Sequence, residues 1–230
     1  MLREKPLATA EEKERIVNTV ITIGREFGSG GRDVGRALAT YYDIPYYDKE
    51  LLSRAAKDSG ICEDVFATHD EKPSSSFLYS LVMDTYSMGY MGSSYSEMPI
   101  SQKIFLAQFD AIKKIADEGP CVIIGRCADY ALENYHNRLS IFIKAKLEKR
   151  IERVVRDFEV NESKAKDLIA KTDKRRASYY NYYTNKKWGE CDSYDLTVDT
   201  ERLGVNGTIE LIKEYIRIRE HLISTDNVVF

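Results

Sequence analysis

The chain has no apolar run long enough to span a bilayer. Its opening, MLREKPLATAEEKERIV, lacks the hydrophobic stretch of a secretion signal. Histidine is scarce: His69, His136 and His221 are scattered without ligand spacing. The four cysteines, Cys62, Cys121, Cys127 and Cys191, form no C-x-x-C pair. A zinc centre and a disulfide framework are therefore not expected, whereas reduced thiols in a cytoplasmic protein are. A strong charge of either sign is also missing. The net −3 gives no overall pull toward nucleic acid or an anionic membrane. Internal repeats are absent as well.

What is present is an ordinary globular composition, 43% hydrophobic and 31% charged over 230 residues. That length suffices for one α/β core, with or without an insertion. The charge is uneven, however. Residues 138–187 hold 15 Lys and Arg against 7 Asp and Glu, so a basic block sits in an otherwise acidic chain. It reads either as a site for an anionic ligand or as a solvated helical face.

Strand and helix patterns alternate along the chain. The β-branched run at 17–23 reads as a buried strand that stops at Gly24. Residues 32–42 have helical periodicity. A short strand follows at 44–48, and a helix at 49–58. From 62 to 99 the pattern dissolves into Ser, Met, Tyr and Gly, with helix expected near 76–84. An amphipathic helix at 104–117, a buried strand at 121–124 and a helix at 128–134 come next. They are followed by a strand at 139–143, helices at 147–157 and 162–177, a strand at 194–200 and a closing helix at 207–221. A short helix is also expected at 10–16. Such alternation predicts a parallel sheet covered on both faces, with ligands beyond the carboxyl ends of its strands. Unusual residues converge there from four segments: the loop 24–31, Asp48, Gly125-Arg126 and Asp199.

The loop carries the most information. Gly24, Gly28, Gly30 and Gly31 fall within eight residues, between a buried strand and a helix. Backbone amides in such a turn point inward, and the helix N-terminus adds partial positive charge, so the geometry suits phosphate. The alternative is a tight connection with no ligand. The standard pattern is G-x-x-x-x-G-K-[ST], and this loop departs from it. One register puts Ser29 at the second glycine and Gly30 at the lysine. The other puts Gly31 at the lysine, with Arg32 and Asp33 after it. Neither supplies a lysine or a Ser/Thr magnesium ligand; the nearest cations are Arg32 and Arg25.

The segment Ile21-Thr22-Ile23-Gly24-Arg25-Glu26-Phe27-Gly28-Ser29-Gly30-Gly31-Arg32 resembles the opening of the cytidylate kinase-like family, a branch of the P-loop nucleoside monophosphate kinases. The likeness continues through Tyr46-Tyr47-Asp48-Lys49-Glu50, Ile123-Ile124-Gly125-Arg126 and residues 173–183. It implies a single domain with a three-layer α/β/α P-loop fold and a parallel central sheet. Its core would cover about 18–60, 103–156 and 190–221, with a helical monophosphate-binding insertion at about 61–102 and a basic lid at about 157–189. ATP and Mg2+ are the implied cofactors, and a nucleotide plus a small acceptor the implied partners, without nucleic acid or membrane. Oligomeric state is left open.

The resemblance sorts the candidate residues. Gly24, Arg25, Gly28, Ser29, Gly30, Gly31, Arg32, Asp33, Arg150 and Arg153 are expected to hold the donor phosphates. Arg32, Arg126 and Arg176 are the candidates for charge stabilisation of the moving phosphoryl group. Asp48, Arg126, Asp173 and Tyr180 are the candidates for the acceptor. No metal ligand is assigned: the family's strand-end aspartate is Ile124 here, and Asp129 is a substitute by proximity alone. Each residue also has a structural explanation. Arg126 could pair with an acid, Asp48 could cap the next helix, and the arginines could form exposed ion-pair ladders. Tyr179, Tyr180, Tyr182 and Tyr183 could stack on a base or pack between helices. Tyr79, Tyr86, Tyr90 and Tyr95 could line a nucleobase pocket or an oligomer contact.

Three functions fit, in falling order. The first is a Mg2+- and ATP-dependent kinase acting on CMP or another small acceptor, with Arg32 and Arg25 replacing the lysine's charge. The second is a regulatory nucleotide-binding module. The third, nucleic-acid binding through the basic helices, has no reader motif behind it.

Overall fold

A computed structural model describes residues 17–69 and 98–224. The helix expected at 10–16, the one near 76–84 and the tyrosines 79, 86, 90 and 95 lie outside the described residues, as does most of the segment 61–102 expected to be an insertion.

Five parallel strands form one sheet in the order β2-β3-β1-β4-β5. They are β1 (Val20–Arg25), β2 (Tyr46–Tyr47), β3 (Val122–Ile124), β4 (Arg138–Lys144) and β5 (Leu196–Asp199). The helices are α1 (Gly31–Tyr42), α2 (Glu50–Ser59), α3 (Glu63–His69), α4 (Ile100–Glu118), α5 (Ala128–Ala131), α6 (Leu147–Phe158), α7 (Glu162–Thr184) and α8 (Thr200–Ser224).

Alternation along the strands builds two cores. Ile21, Ile23, Val122, Ile124, Leu139, Ile141, Ile143 and Val198 face α1 and α8. Val20, Ile123 and Phe142 face the opposite layer, where α2, α4, α5 and α7 contribute Leu51, Phe105, Ile112, Ala128 and Tyr183. This is the parallel sheet covered on both faces that the sequence pattern predicts, in the three-layer α/β/α P-loop arrangement that the family resemblance implies. Among the described residues no helix is long and apolar enough to cross a membrane.

Several boundaries differ from the sequence reading, some through tertiary contacts and some through local backbone geometry. β1 continues past Ile23, because Gly24 pairs with Phe142 and Arg25 with Ile143 of β4. α4 begins at Ile100, where Pro99 supplies the entry and accepts from Gln102 and Lys103. α5 starts at Ala128 as expected but ends after one turn, where the chain tightens and the Glu133 and Tyr135 amides donate to the Tyr130 and Leu132 carbonyls at 3.1 and 2.9 Å. α7 runs on through the tyrosine stretch to Thr184, because those rings pack on α4: Tyr183 stacks on Phe105 at 4.0 Å, and the Tyr179 hydroxyl donates to Gln108 Oε1 at 3.0 Å. β5 shortens to four residues behind a 3-10 turn at Cys191–Ser193. α8 starts at Thr200 but is broken at Gly204, so the expected helix at 207–221 is its second part.

Candidate active site

From β1 the chain moves to one edge of the sheet, and from β3 it crosses to the other side. The crevice therefore opens beyond the carboxyl ends of β1 and β3, the ligand position of open α/β sheets. Both strands end in unusual turns there.

After β1 the chain makes a tight loop. Gly28 and Gly30 have φ of 80° and 86°, a region where L-residues cost about 1–2 kcal/mol. A Cβ at Gly28 would also lie 2.9 Å from the Arg150 carbonyl oxygen. Ser29 stiffens the turn, its hydroxyl donating to the Glu26 carbonyl at 2.9 Å. Gly30 caps α1, and Gly31, Arg32 and Asp33 form the first turn, where helix N–H groups have no intrahelical acceptor.

α6 and α7 roof the loop. Arg153 donates to the Gly28 carbonyl at 2.7 Å, and Arg150 pairs with Asp173 and lies 3.5 Å from Glu26. Asp173 in turn accepts from the Phe27 amide at 2.7 Å, so a carboxylate already rests on one loop amide. Arg176 donates to the Arg25 carbonyl at 3.3 Å. Between loop and roof lies a cleft of about 180 Å³, lined by Arg25, Gly28, Gly30, Gly31, Arg32, Asp33, Arg153, Asp157 and Arg176 among others. A second cleft of about 380 Å³ lies on the other side of Arg153, between Lys149 and Arg156 of α6 and Thr200, Glu201 and Gly204 of α8.

After β3, Gly125, Arg126 and Cys127 all have positive φ. The turn aims the Arg126 guanidinium back under the sheet edge, where it donates to Asp48 at 2.7 Å and to the Ile124 carbonyl at 2.9 Å. Arg32 reaches the other Asp48 oxygen at 2.8 Å. Asp48 is therefore an ion-pair hub, whereas α2 has Lys49 at its cap without a side-chain hydrogen bond. Burial pushes the Asp48 carboxyl up, but Arg126, Arg32 and Arg25 outweigh it and hold its pKa below the ordinary value. A water-sized hollow of about 20 Å³ separates the two turns, with Gly24, Arg25, Arg126, Asp129, Arg176 and Tyr180 on its walls.

Asp173, Arg176 and Tyr180 share the inward face of α7. The Tyr180 hydroxyl donates to buried Asp129 at 2.7 Å. Burial raises the Asp129 carboxyl more than Tyr180, Lys186 and Arg138 lower it. Arg25, Arg126, Arg150 and Arg176 are each less than a tenth exposed, a rare setting for arginine unless anions meet it. The other basic residues of α6 stay on the surface: Lys149 pairs with Glu152 and Arg156 with Asp157.

Of the candidates read from the sequence, the loop residues, Asp48, Arg126, Arg150, Arg153, Asp173, Arg176 and Tyr180 thus meet around the two turns, whereas Tyr179 and Tyr183 pack on α4 and Tyr79, Tyr86, Tyr90 and Tyr95 lie outside the described residues. Three neighbours escaped that reading. Glu26 accepts from the Ala145 amide at 3.0 Å, and its pKa is raised by burial ahead of the lowering effects of that bond and of Arg150. Thr200 donates to the Ser29 carbonyl at 2.7 Å. Asp129 was noticed only as a possible carboxylate substitute, not as the partner of Tyr180. Thr200 had a signal, since it follows strand-end Asp199; Asp199 itself accepts from the Glu201 amide at 2.8 Å.

Comparison with known proteins decides the lineage. The model of the cytidylate kinase-like family matches residues 20–202. The chain belongs to the cytidylate kinase-like family. A cytidylate kinase of Methanopyrus kandleri is 25% identical over 210 residues, 87% of this chain and 94% of that protein. The crystal structure of an uncharacterized protein from Eubacterium ventriosum superposes with a TM-score of 0.65 at 32% identity, over 86% of this chain and 98% of that one. Against the standard phosphate-loop pattern, the chain has Gly30 or Gly31, by register, at the position of the lysine, and Ile124 ends β3.

Proposed function

We propose that this protein is a nucleotide-dependent phosphotransferase that moves the γ-phosphoryl group of ATP to a small phosphorylated acceptor, with a nucleoside monophosphate such as CMP as the first candidate. The observation that carries the reading is the roofed loop: a glycine turn at the end of the central strand, already holding a carboxylate on one amide, with Arg153 and Arg176 closing over it. Phosphoryl transfer needs mainly positioning and positive charge around the moving group, which this arrangement supports.

In this reading the loop and the first turn of α1 take the donor phosphates. The larger cleft beside Arg153 takes the remainder of the donor nucleotide. Arg126 and Arg32, fixed on Asp48, face the acceptor phosphate, with Arg176 between the two. Asp173 and Tyr180 orient α7 over the crevice. The segment at about 157–189, which holds α7, acts as the lid, and the segment at about 61–102 contributes the acceptor's remaining contacts. No group of three potential metal-ligating side chains occurs among the described residues. Magnesium commonly binds through one or two carboxylates plus substrate phosphates, and Asp33 and Asp157 on the cleft walls fit that mode. It would neutralise donor charge. The expected setting is the cytoplasm.

The missing lysine and strand-end aspartate favour a second reading, a regulatory module that binds nucleotide without turnover. Purified protein with Mg2+, labelled ATP and a panel of nucleoside monophosphates separates the two. Transfer to at least one acceptor above the rate of ATP hydrolysis supports the kinase. Tight ATP binding with no transfer across the panel supports the module.

A further inference from the structure

Gly31 stands at the lysine position in the register that aligns Gly30 with the pattern's second glycine. Its backbone does not require glycine: positive φ is confined in this loop to Gly28 and Gly30. What excludes a side chain is Arg25. A Cβ on Gly31 would lie 2.6 Å from Arg25 Cβ and 3.2 Å from Arg25 Cγ, with Ile143 Cβ next at 3.3 Å. The stem of Arg25 thus fills the space through which a side chain from position 31 would leave the helix.

Arg25 and Arg32 are the two cations nearest the vacancy, and their settings differ. Arg32 is 38% exposed, with its Nε 2.8 Å from Asp48 Oδ2, and both arginines help to hold the Asp48 carboxyl low. Arg25 is 4% exposed. It lines both the loop cleft and the hollow beside Arg126. It therefore stands between the place proposed for the donor phosphates and the place proposed for the acceptor.

We propose that Arg25 is the phosphate-binding cation of this loop, delivered from the end of β1 in place of the lysine that the standard loop delivers from the start of α1, and that Gly31 is glycine to admit it. This assignment rests on the phosphotransferase reading above and says which residue carries that loop's charge. The exchange alters recognition as well as position. A guanidinium is a planar fork that grips two oxygens, whereas an ammonium is a point charge. Lysine at 31 and arginine at 25 are then alternative solutions that one loop cannot hold together.

The test is a substitution square read by ATP binding in calorimetry, by phosphoryl transfer and by thermal melting. Arg25→Met keeps the stem over Gly31 and removes the guanidinium. It is expected to melt near the unmodified protein while losing about 10²–10³-fold in transfer and at least about tenfold in ATP affinity. Gly31→Lys alone, with Arg25 in its way, is expected to bind ATP as poorly and to melt lower. Arg25→Gly with Gly31→Lys, which removes both the Cβ and the Cγ in the way, is expected to recover at least about tenfold in ATP affinity over Arg25→Gly. ATP affinity of Arg25→Met within about threefold of the unmodified protein, or a double variant no better than Arg25→Gly, overturns the assignment while leaving the phosphotransferase reading intact. An unmodified protein that binds no nucleoside triphosphate overturns both.

Discussion

The turns that end β1 and β3 lie side by side and use the same left-handed backbone region for opposite purposes. The β1 turn visits it at Gly28 and Gly30, residues without side chains, so the backbone itself forms the surface. The β3 turn enters it at Gly125 and continues through Arg126 and Cys127, where φ is 53° and 56° and each of these two side-chain-bearing residues costs about 1–2 kcal/mol. That strain is offset by an ion pair: the turn aims a guanidinium at Asp48, and the pair is almost wholly buried, with side-chain exposures of 2% and 6%. One turn presents amides, the other one cation in a fixed direction. A phosphoryl-transfer site needs both, a cradle for one phosphate and a directed charge for the next.

The largest expected effect falls on the second turn. Asp48→Ala leaves Arg126 buried without its carboxylate, and breaking such a pair costs about 3–5 kcal/mol, measurable by urea unfolding at pH 7. The pH dependence follows from the same pair. Because the folded-state pKa of Asp48 is depressed, its contribution is fully present above its ordinary value of 3.8. It is lost as pH falls below that value through the folded pKa. Asp48→Asn should flatten this acid limb; a limb unchanged in that variant would show that other carboxylates carry it.

The first turn is expected to be next. Gly28→Ala combines a left-handed L-residue with a Cβ 2.9 Å from Val154 Cγ2, a loss of about 2 kcal/mol or more. ATP affinity should fall by at least about tenfold, since the amides that face phosphate move with it. Normal affinity in a destabilised variant would separate the loop's geometry from its proposed use.

The smallest effect sharpens the contrast. At Cys127, glycine relieves the backbone and alanine does not. Cys127→Gly should therefore be the more stable of the two by about 1 kcal/mol, the reverse of their order inside a helix. Alanine equal to glycine in urea unfolding would mean that position 127 stores no strain.

The framework was legible in the chain because its signals are local. β-Branched residues at 17–23 marked the central strand, and glycine density marked the loop. The helical period marked α1, α4 and α6. The tyrosine stretch was not legible as helix, since what extends α7 to Thr184 is Phe105 and Gln108 on α4, more than seventy residues earlier. The site was legible as a set of residues and not as a set of partnerships. Asp48 looked like a cap, and Arg126 like an arginine in search of an acid; the fold makes each the other's partner across 78 positions.

The sequence by itself determined a parallel α/β sheet, a glycine turn after the first strand and a chain that lacks the standard lysine, because each is written in neighbouring residues and their spacing. Tertiary structure alone decided why position 31 is bare, which arginine crosses it and which carboxylate gathers Arg32 and Arg126. These are questions of excluded volume and charge between segments that meet only when the strands align. No local pattern encodes a distance between two side chains on different elements.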